Sequence, residues 1–457
     1  MTAEEGFADF TNIDRIDGLK LLVDEGRSWF ARTDESFDLI QMSLFDTWAA
    51  TGAGAFTLSE NGLYTVEAWQ TFASRLAPGG VFTVSCWFNP ETVNETGRLI
   101  SLGAATLISL GIENPADHLL LISQGNVTTL VLSRSPFDRE GLEVLHQAAS
   151  FLEHRVLLSP LQESVSPDLQ KIVSAESLEA LELVTADYTY DLSPPTDDRP
   201  FFFNQLRFDR PVEAIRISAS LMGIDTIGGG IREGNVIATV TLIVLFMVSL
   251  LLVLATVILP LRGAIENAGK PLVVAGTVYF LLIGMGFMLI EIGLLQRTSV
   301  FLGHPIYSLG VLLSSLIIAT GLGSLLSGRF SLVSGPAFLA WSILTSGYLL
   351  LTAVLLPDVL ETNRTASLPI KTLISEAIIA PAGILMGFAF PTGMALVSAV
   401  DERPTPWFWG INGAAGVLAS VMAIGISMAA GISMTLMVGA ICYLLLLPCY
   451  QQLRKLG

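Results

Sequence analysis

From residue 236 onward the chain consists of apolar runs of about 20 residues separated by short polar breaks, the length that spans a ~30 Å hydrocarbon core as a helix. This pattern limits the fold more than any other feature. In lipid, each backbone N–H and C=O must find its partner within its own segment, so runs of this kind are helices. Spans are expected near 236–260, 272–295, 305–327, 336–356, 371–398, 408–430 and 432–449. The breaks at 262–270, 297–304, 328–334, 358–364 and 401–406 carry charges and turn formers. Gly431 divides the last two runs only weakly, so six or eight spans remain alternatives to seven. An odd number places the two ends of the bundle on opposite sides. Arg454 and Lys455, however, point to the cytoplasmic side, which is also expected for the part that precedes the bundle.

Two carboxylates interrupt the apolar runs, Glu291 in FMLIEIGLL and Glu376 in LISEAII. Ionisable groups at membrane depth are costly and often mark a function. Alternatively, Glu291 lies near the end of its span and pairs with Arg297, and Glu376 snorkels near its helix start. Pro381 and Pro391 break or kink the 371–398 run, and Asn412 adds an amide to the next. Broken helices with polar groups can line a transport path. Small residues (Gly321, Gly323, Ser327, and Gly410, Gly413, Ala414, Gly416) read as helix-packing positions.

The first 235 residues hold most of the charge, and the net charge of −17 argues against nucleic acid as a partner, because phosphate binding needs clustered Lys and Arg. A cationic solute such as a polyamine is compatible with it. Cys86, Cys442 and Cys449 fit neither a zinc site nor a disulfide framework, and no metal is expected. Residues 1–20 are polar and acidic rather than a signal peptide.

Short apolar segments at 19–23, 37–44 and 81–88 read as strands, and 27–32 and 63–76 as helices. Further strands are expected at 119–122 and 127–133, with a helix over 138–152. Strands alternating with helices indicate a mainly parallel sheet, the second half of a Rossmann-like α/β domain. Ligands bind such sheets beyond the C-terminal strand ends. Asp24 and Glu25 lie at one such end and Asp46 just beyond another. Carboxylates there can accept from ribose hydroxyls, bind an ammonium group or take a proton from an amine; equally, acids after strands cap helices. Farther on, Asp197, Asp198, Arg199 and Pro200 precede three phenylalanines. In this compact unit Asp and Arg can pair while the rings pack on the sheet or on the membrane face. The expected organisation is therefore an α/β domain over 1–210, a linker at 211–235 containing Gly228-Gly229-Gly230, and an all-α polytopic membrane domain of about seven spans over 236–450.

The run VDEGRSWFARTDESFDLIQMSLFDTWAATGAGAF, then LYTVEAWQTFASRLAPGGVFTVS, TDDRPFFFN, the EIGLLQR segment and PWFWGINGAAGVLAS, resembles the membrane-bound spermidine synthase-like proteins of bacteria. In that family a domain similar to aminopropyltransferases and S-adenosylmethionine methyltransferases is joined to hydrophobic helices. The resemblance implies an integral protein of the bacterial inner membrane with its soluble domain cytoplasmic. It implies aminopropyl transfer from decarboxylated S-adenosylmethionine to a diamine, or methyl transfer from S-adenosylmethionine. On this resemblance Glu25 and Gly26, with Asp24 beside them, match the adenine-side contact, and Asp46 matches an amine-binding acid. Ser43 stands where the family has the Asp that deprotonates the attacking amine, and a hydroxyl needs its own base for that role.

The family's first strand and Gly-rich loop have no counterpart ahead of residue 19. Met1 therefore reads as an internal start, of a fragment, a misplaced start codon or a decayed gene; the chain is then inactive as written, or a homo-oligomer or another chain supplies the missing half of the cofactor site. A non-enzymatic transporter or sensor of a small cation is the remaining alternative.

Overall fold

The computed structural model describes residues 15–43, 61–90, 93–208, 210, 236–303 and 305–457. Asp46, the whole 211–235 linker and the start of the chain lie outside the described residues. The first part folds as α1 (Gly26–Arg32), β1 (Phe37–Met42), α2 (Val66–Ala73), β2 (Leu76–Trp87) and α3 (Glu95–Ser109). It continues as β3 (Leu119–Gln124), β4 (Val127–Ser133), α4 (Arg139–Phe151), β5 (Arg155–Leu158), α5 (Pro167–Val173) and α6 (Leu178–Ala186).

The five strands form one sheet in the order β1-β2-β4-β3-β5. Only β1 and β2 are parallel; the other three pairings are antiparallel. The sheet is thus mixed, not mainly parallel. The reason lies in residues 125–126: a two-residue link between β3 and β4, with Gly125 at φ 57°, leaves only a hairpin. The strand expected at 19–23 is also absent. That segment is irregular and exposed, Val23 by 87%.

Helix α3 is buried on nearly all sides. Its leucines and isoleucine pack with Trp69, Phe72, Phe82, Leu132 and Ile172 into the core of this unit. Each such side chain withdrawn from water contributes about 1.5–3 kcal/mol.

Seven helices are long and apolar enough to cross a membrane: α7 (Leu242–Ile265), α8 (Lys270–Leu302), α9 (Ile306–Ser327), α10 (Gly335–Thr362), α11 (Leu368–Ser398), α12 (Thr405–Ala430) and α13 (Ile432–Arg454). The chain is an integral membrane protein by this measure. Helix α8 runs through the centre, where Tyr279 and Phe280 join Phe338, Phe408 and Tyr450 in one core. Helices α9 and α11 cross with Gly323 and Gly387 in contact, and a Cβ at Gly323 would strike the Ile384 carbonyl. Small residues here permit backbone approach, as expected in lipid.

Gly431 separates α12 from α13 with φ 98°. This left-handed conformation suits glycine and accounts for a sharp reversal where the sequence shows so little punctuation.

Candidate functional site

The soluble unit sits on the bundle through the unit 197–203. Sequence pattern places two acids, an Arg and three phenylalanines there; the structure shows that each faces a different neighbour. Asp197 takes a forked ion pair from Arg27 of α1, at 2.7 and 2.6 Å, and a 2.8 Å hydrogen bond from the Thr65 hydroxyl. Asp198 pairs with Arg297 of α8 and accepts from the Ser433 amide and hydroxyl at 2.9 and 2.8 Å. It thereby caps the N-terminus of α13 from another part of the chain. Arg199 turns away to Asp191, 3.1 Å distant. Phe202 stacks on Tyr64 inside the soluble core and Phe203 meets the same ring edge-on, whereas Phe201 packs on Leu242, Val421 and Met428 of the membrane helices. The acids therefore pair with partners outside the unit, and the rings serve both the sheet and the membrane face.

Two arginines hold this segment. Arg98, 2% exposed, donates to the carbonyls of Ser193, Phe201 and Phe202 at 3.0 Å each and to that of Asn204. Arg297, 5% exposed, donates to the Asp197 carbonyl at 2.7 Å and to Ser433 at 2.8 Å. Arg297 is inside α8, which continues to Leu302, and not in a break between spans. Its carboxylate partner is Asp198 rather than Glu291.

Between these contacts lies a cavity of 340 Å³, walled by α1 and α2 on one side and by the ends of α8, α10 and α11 on the other. Its charged lining is largely self-neutralised: Arg27 with Asp197, Arg297 with Asp198, and Arg364 with Glu361 at 2.8 Å. Glu67, Asp358 and Lys371 remain. Glu67 accepts the Asp197 amide at 3.0 Å. Burial, reinforced by the neighbouring Asp197 carboxylate, pushes its pKa up to about 7; both effects disfavour the charged form. Lys371, fourth on from the Ser367 cap of α11, is buried over the Phe301 ring, 5.2 Å from its centroid. Its ammonium reaches the Ser28 hydroxyl at 3.4 Å.

Of the residues marked by sequence, Asp197 and Asp198 line this cavity. Glu25 and Asp24 stand beside it, engaged elsewhere. Both Glu25 oxygens cap α1, accepting the Arg27 and Ser28 amides at 2.9 and 2.7 Å, and Asp24 pairs with Arg32. Gly26 begins α1, and Ser43 is exposed just past β1. Glu376 lines a separate, shallower hollow with Leu302, Ile306 and Tyr307. Glu291 is partly buried on α8 and Asn412 lies in the bundle. Arg27, Glu67, Arg98 and Lys371 escaped the sequence reading. Lys371 had a usable signal, a lysine inside an apolar run; the others are ordinary helix residues until folded.

Comparison with protein families, curated proteins and solved structures finds no match for this chain.

Proposed function

We propose that this chain is a membrane protein that binds a small amine, of the diamine or polyamine class, in the cavity between its soluble unit and its helices. The observation that carries the reading is the charge balance of that cavity. Three arginines are matched by three carboxylates, leaving Glu67 and Asp358 against Lys371 alone. An ammonium group beside Glu67 would favour its ionised form, so amine uptake and proton release are linked at this carboxyl.

The test is calorimetric titration of the purified protein in detergent with spermidine and putrescine. Binding is expected at pH 8. Affinity should weaken by up to about tenfold per pH unit as Glu67 takes its proton below pH 7. Glu67→Gln should bind weakly at both pH values without that slope. Absence of heat with either amine at pH 8 would sink the proposal.

The resemblance to spermidine synthase-like proteins also supports group transfer, with decarboxylated S-adenosylmethionine or S-adenosylmethionine as co-substrate. The residues as placed do not form a nucleotide cradle: Glu25 and Asp24 are occupied, and the segment before them is not a strand. We therefore derive no transfer step from them. Product analysis separates the readings. Methylthioadenosine marks aminopropyl transfer and S-adenosylhomocysteine marks methyl transfer.

A further inference from the structure

The amine cavity holds one group that a plain diamine leaves unanswered. Lys371 is 3% exposed, yet among the described residues no carboxylate lies within 4 Å of its ammonium. Its contacts are the Ser28 hydroxyl at 3.4 Å and the Phe301 ring, 5.2 Å away at the centroid. Ser28 and Phe301 both line the cavity, so the charged head of Lys371, and not only its stem, stands at the cavity wall. Glu25, close to Ser28 in the chain, has both oxygens turned to the α1 amides instead.

A hydroxyl and a ring face replace little of the hydration that an ammonium loses on burial. The other buried cations of this seam are met by acids or carbonyls: Arg27 by Asp197, Arg297 by Asp198, and Arg98 by four backbone carbonyls. Lys371 is the exception, and it borders the space that a ligand would fill.

The charges that remain in the cavity specify the ligand further. At pH 8, with Glu67 ionised, Glu67 and Asp358 contribute two negative charges and Lys371 one positive, a balance of minus one. A diamine with two ammonium groups turns that balance to plus one and leaves Lys371 without a partner. A diamine that also carries one carboxylate brings it to zero and offers a partner to each of the three groups. The 340 Å³ of the cavity suits a molecule of this size.

We infer that the ligand is a diamino carboxylic acid, with its ammonium groups toward Glu67 and Asp358 and its carboxylate on the Lys371 ammonium beside the Ser28 hydroxyl. This rests on the amine reading of the cavity and adds an acid group to it.

The probes are ornithine and putrescine, which differ only by a carboxylate on one amine-bearing carbon. Each is titrated calorimetrically into the detergent-purified protein at pH 8. Ornithine should bind about tenfold more tightly than putrescine, the scale of one hydrogen bond between charged groups. In Lys371→Met that preference should vanish while putrescine keeps or gains affinity. Retained putrescine binding shows that the variant folds, and its melting temperature should not fall, because a buried charge without a partner has been removed. Acetate added with putrescine tests whether a free anion serves Lys371 equally well. Putrescine affinity should not change, and a rise to the ornithine value would overturn the inference. Putrescine binding as tightly as ornithine in the unaltered protein, or loss of both ligands in Lys371→Met, would overturn it too and leave the amine reading standing. Heat with ornithine alone would support the inference and narrow that reading to diamino acids. No heat with putrescine, spermidine or ornithine would remove both.

Discussion

Glu67 and Asp197 face each other across the Arg27 guanidinium, and only Asp197 receives its fork. The carboxyl left over has its pKa raised from 4.5 to about 7, so the folded protein holds a proton there that the unfolded chain gives up. The stability this contributes is fully present below pH 4.5 and is lost as pH rises through 7. Thermal unfolding should accordingly show a downward slope over that interval, worth roughly 1–3 kcal/mol. In Glu67→Gln the slope should flatten; an unchanged slope would mean that another group titrates there. Amine affinity runs the opposite way, rising over the same interval, so one carboxyl should produce two opposed pH profiles. None of this was legible in the sequence. Glu67 sits on an ordinary amphipathic helix, and its partner lies 130 residues away.

At the scale of elements, legibility followed periodicity. The alternation of β4 and the spacing of α4 show in the sequence because each has a drier and a wetter face, and α2 shows because its half-buried Glu67 and Gln70 interrupt an otherwise buried helix. Helix α3 has almost no wet face, so its run ETGRLISLGAATLIS shows no 3.6-residue stripe and passes unnoticed. The irregular 19–23 segment shows the reverse error. Its apolar letters look like a strand, yet no neighbour pairs with it. The seven spans were readable from length alone, although their ends were not: α8 carries Arg297 in its last two turns because Asp198 neutralises that charge at the seam. The α12–α13 reversal should be the most sensitive turn of the bundle. A Cβ at Gly431 would run into the Asp198 carboxylate, and its φ of 98° is left-handed. Gly431→Ala should destabilise by about 2 kcal/mol, read as a lower melting temperature in detergent. Gly425→Ala on α12, where a Cβ meets nothing, should be neutral or slightly stabilising.

For the whole molecule, the contacts decide which end of the bundle carries the soluble unit. Arg297, Arg364, Lys371 and Ser433 touch that unit. The opposite end joins α10 to α13, where the Tyr450 hydroxyl donates to the Val333 carbonyl at 2.6 Å. With seven spans, Arg454 and Lys455 therefore lie across the membrane from the soluble unit. The breaks and tail at that far end hold Arg262, Lys270, Arg329, Arg403, Arg454 and Lys455. Among the described residues, Arg297, Arg364 and Lys371 stand near the span ends on the other side. Positively charged short loops face the cytoplasm, so this balance of six against three favours a cytoplasmic far end. It favours a soluble unit outside, the reverse of the placement expected from sequence. The three native cysteines are buried, which gives a clean assay: Phe151→Cys, on a side chain 88% exposed, labelled in intact cells with a membrane-impermeant maleimide. Labelling is expected, together with fluorescence from a green fluorescent protein fused after Gly457, which matures only in the cytoplasm. That pair of results would open the amine cavity to solutes outside the cell and remove the soluble unit from the cytosolic supply of S-adenosylmethionine, favouring binding over transfer. A protected Phe151→Cys with a dark fusion would return the unit to the cytoplasm and make the transferase assay the first to run.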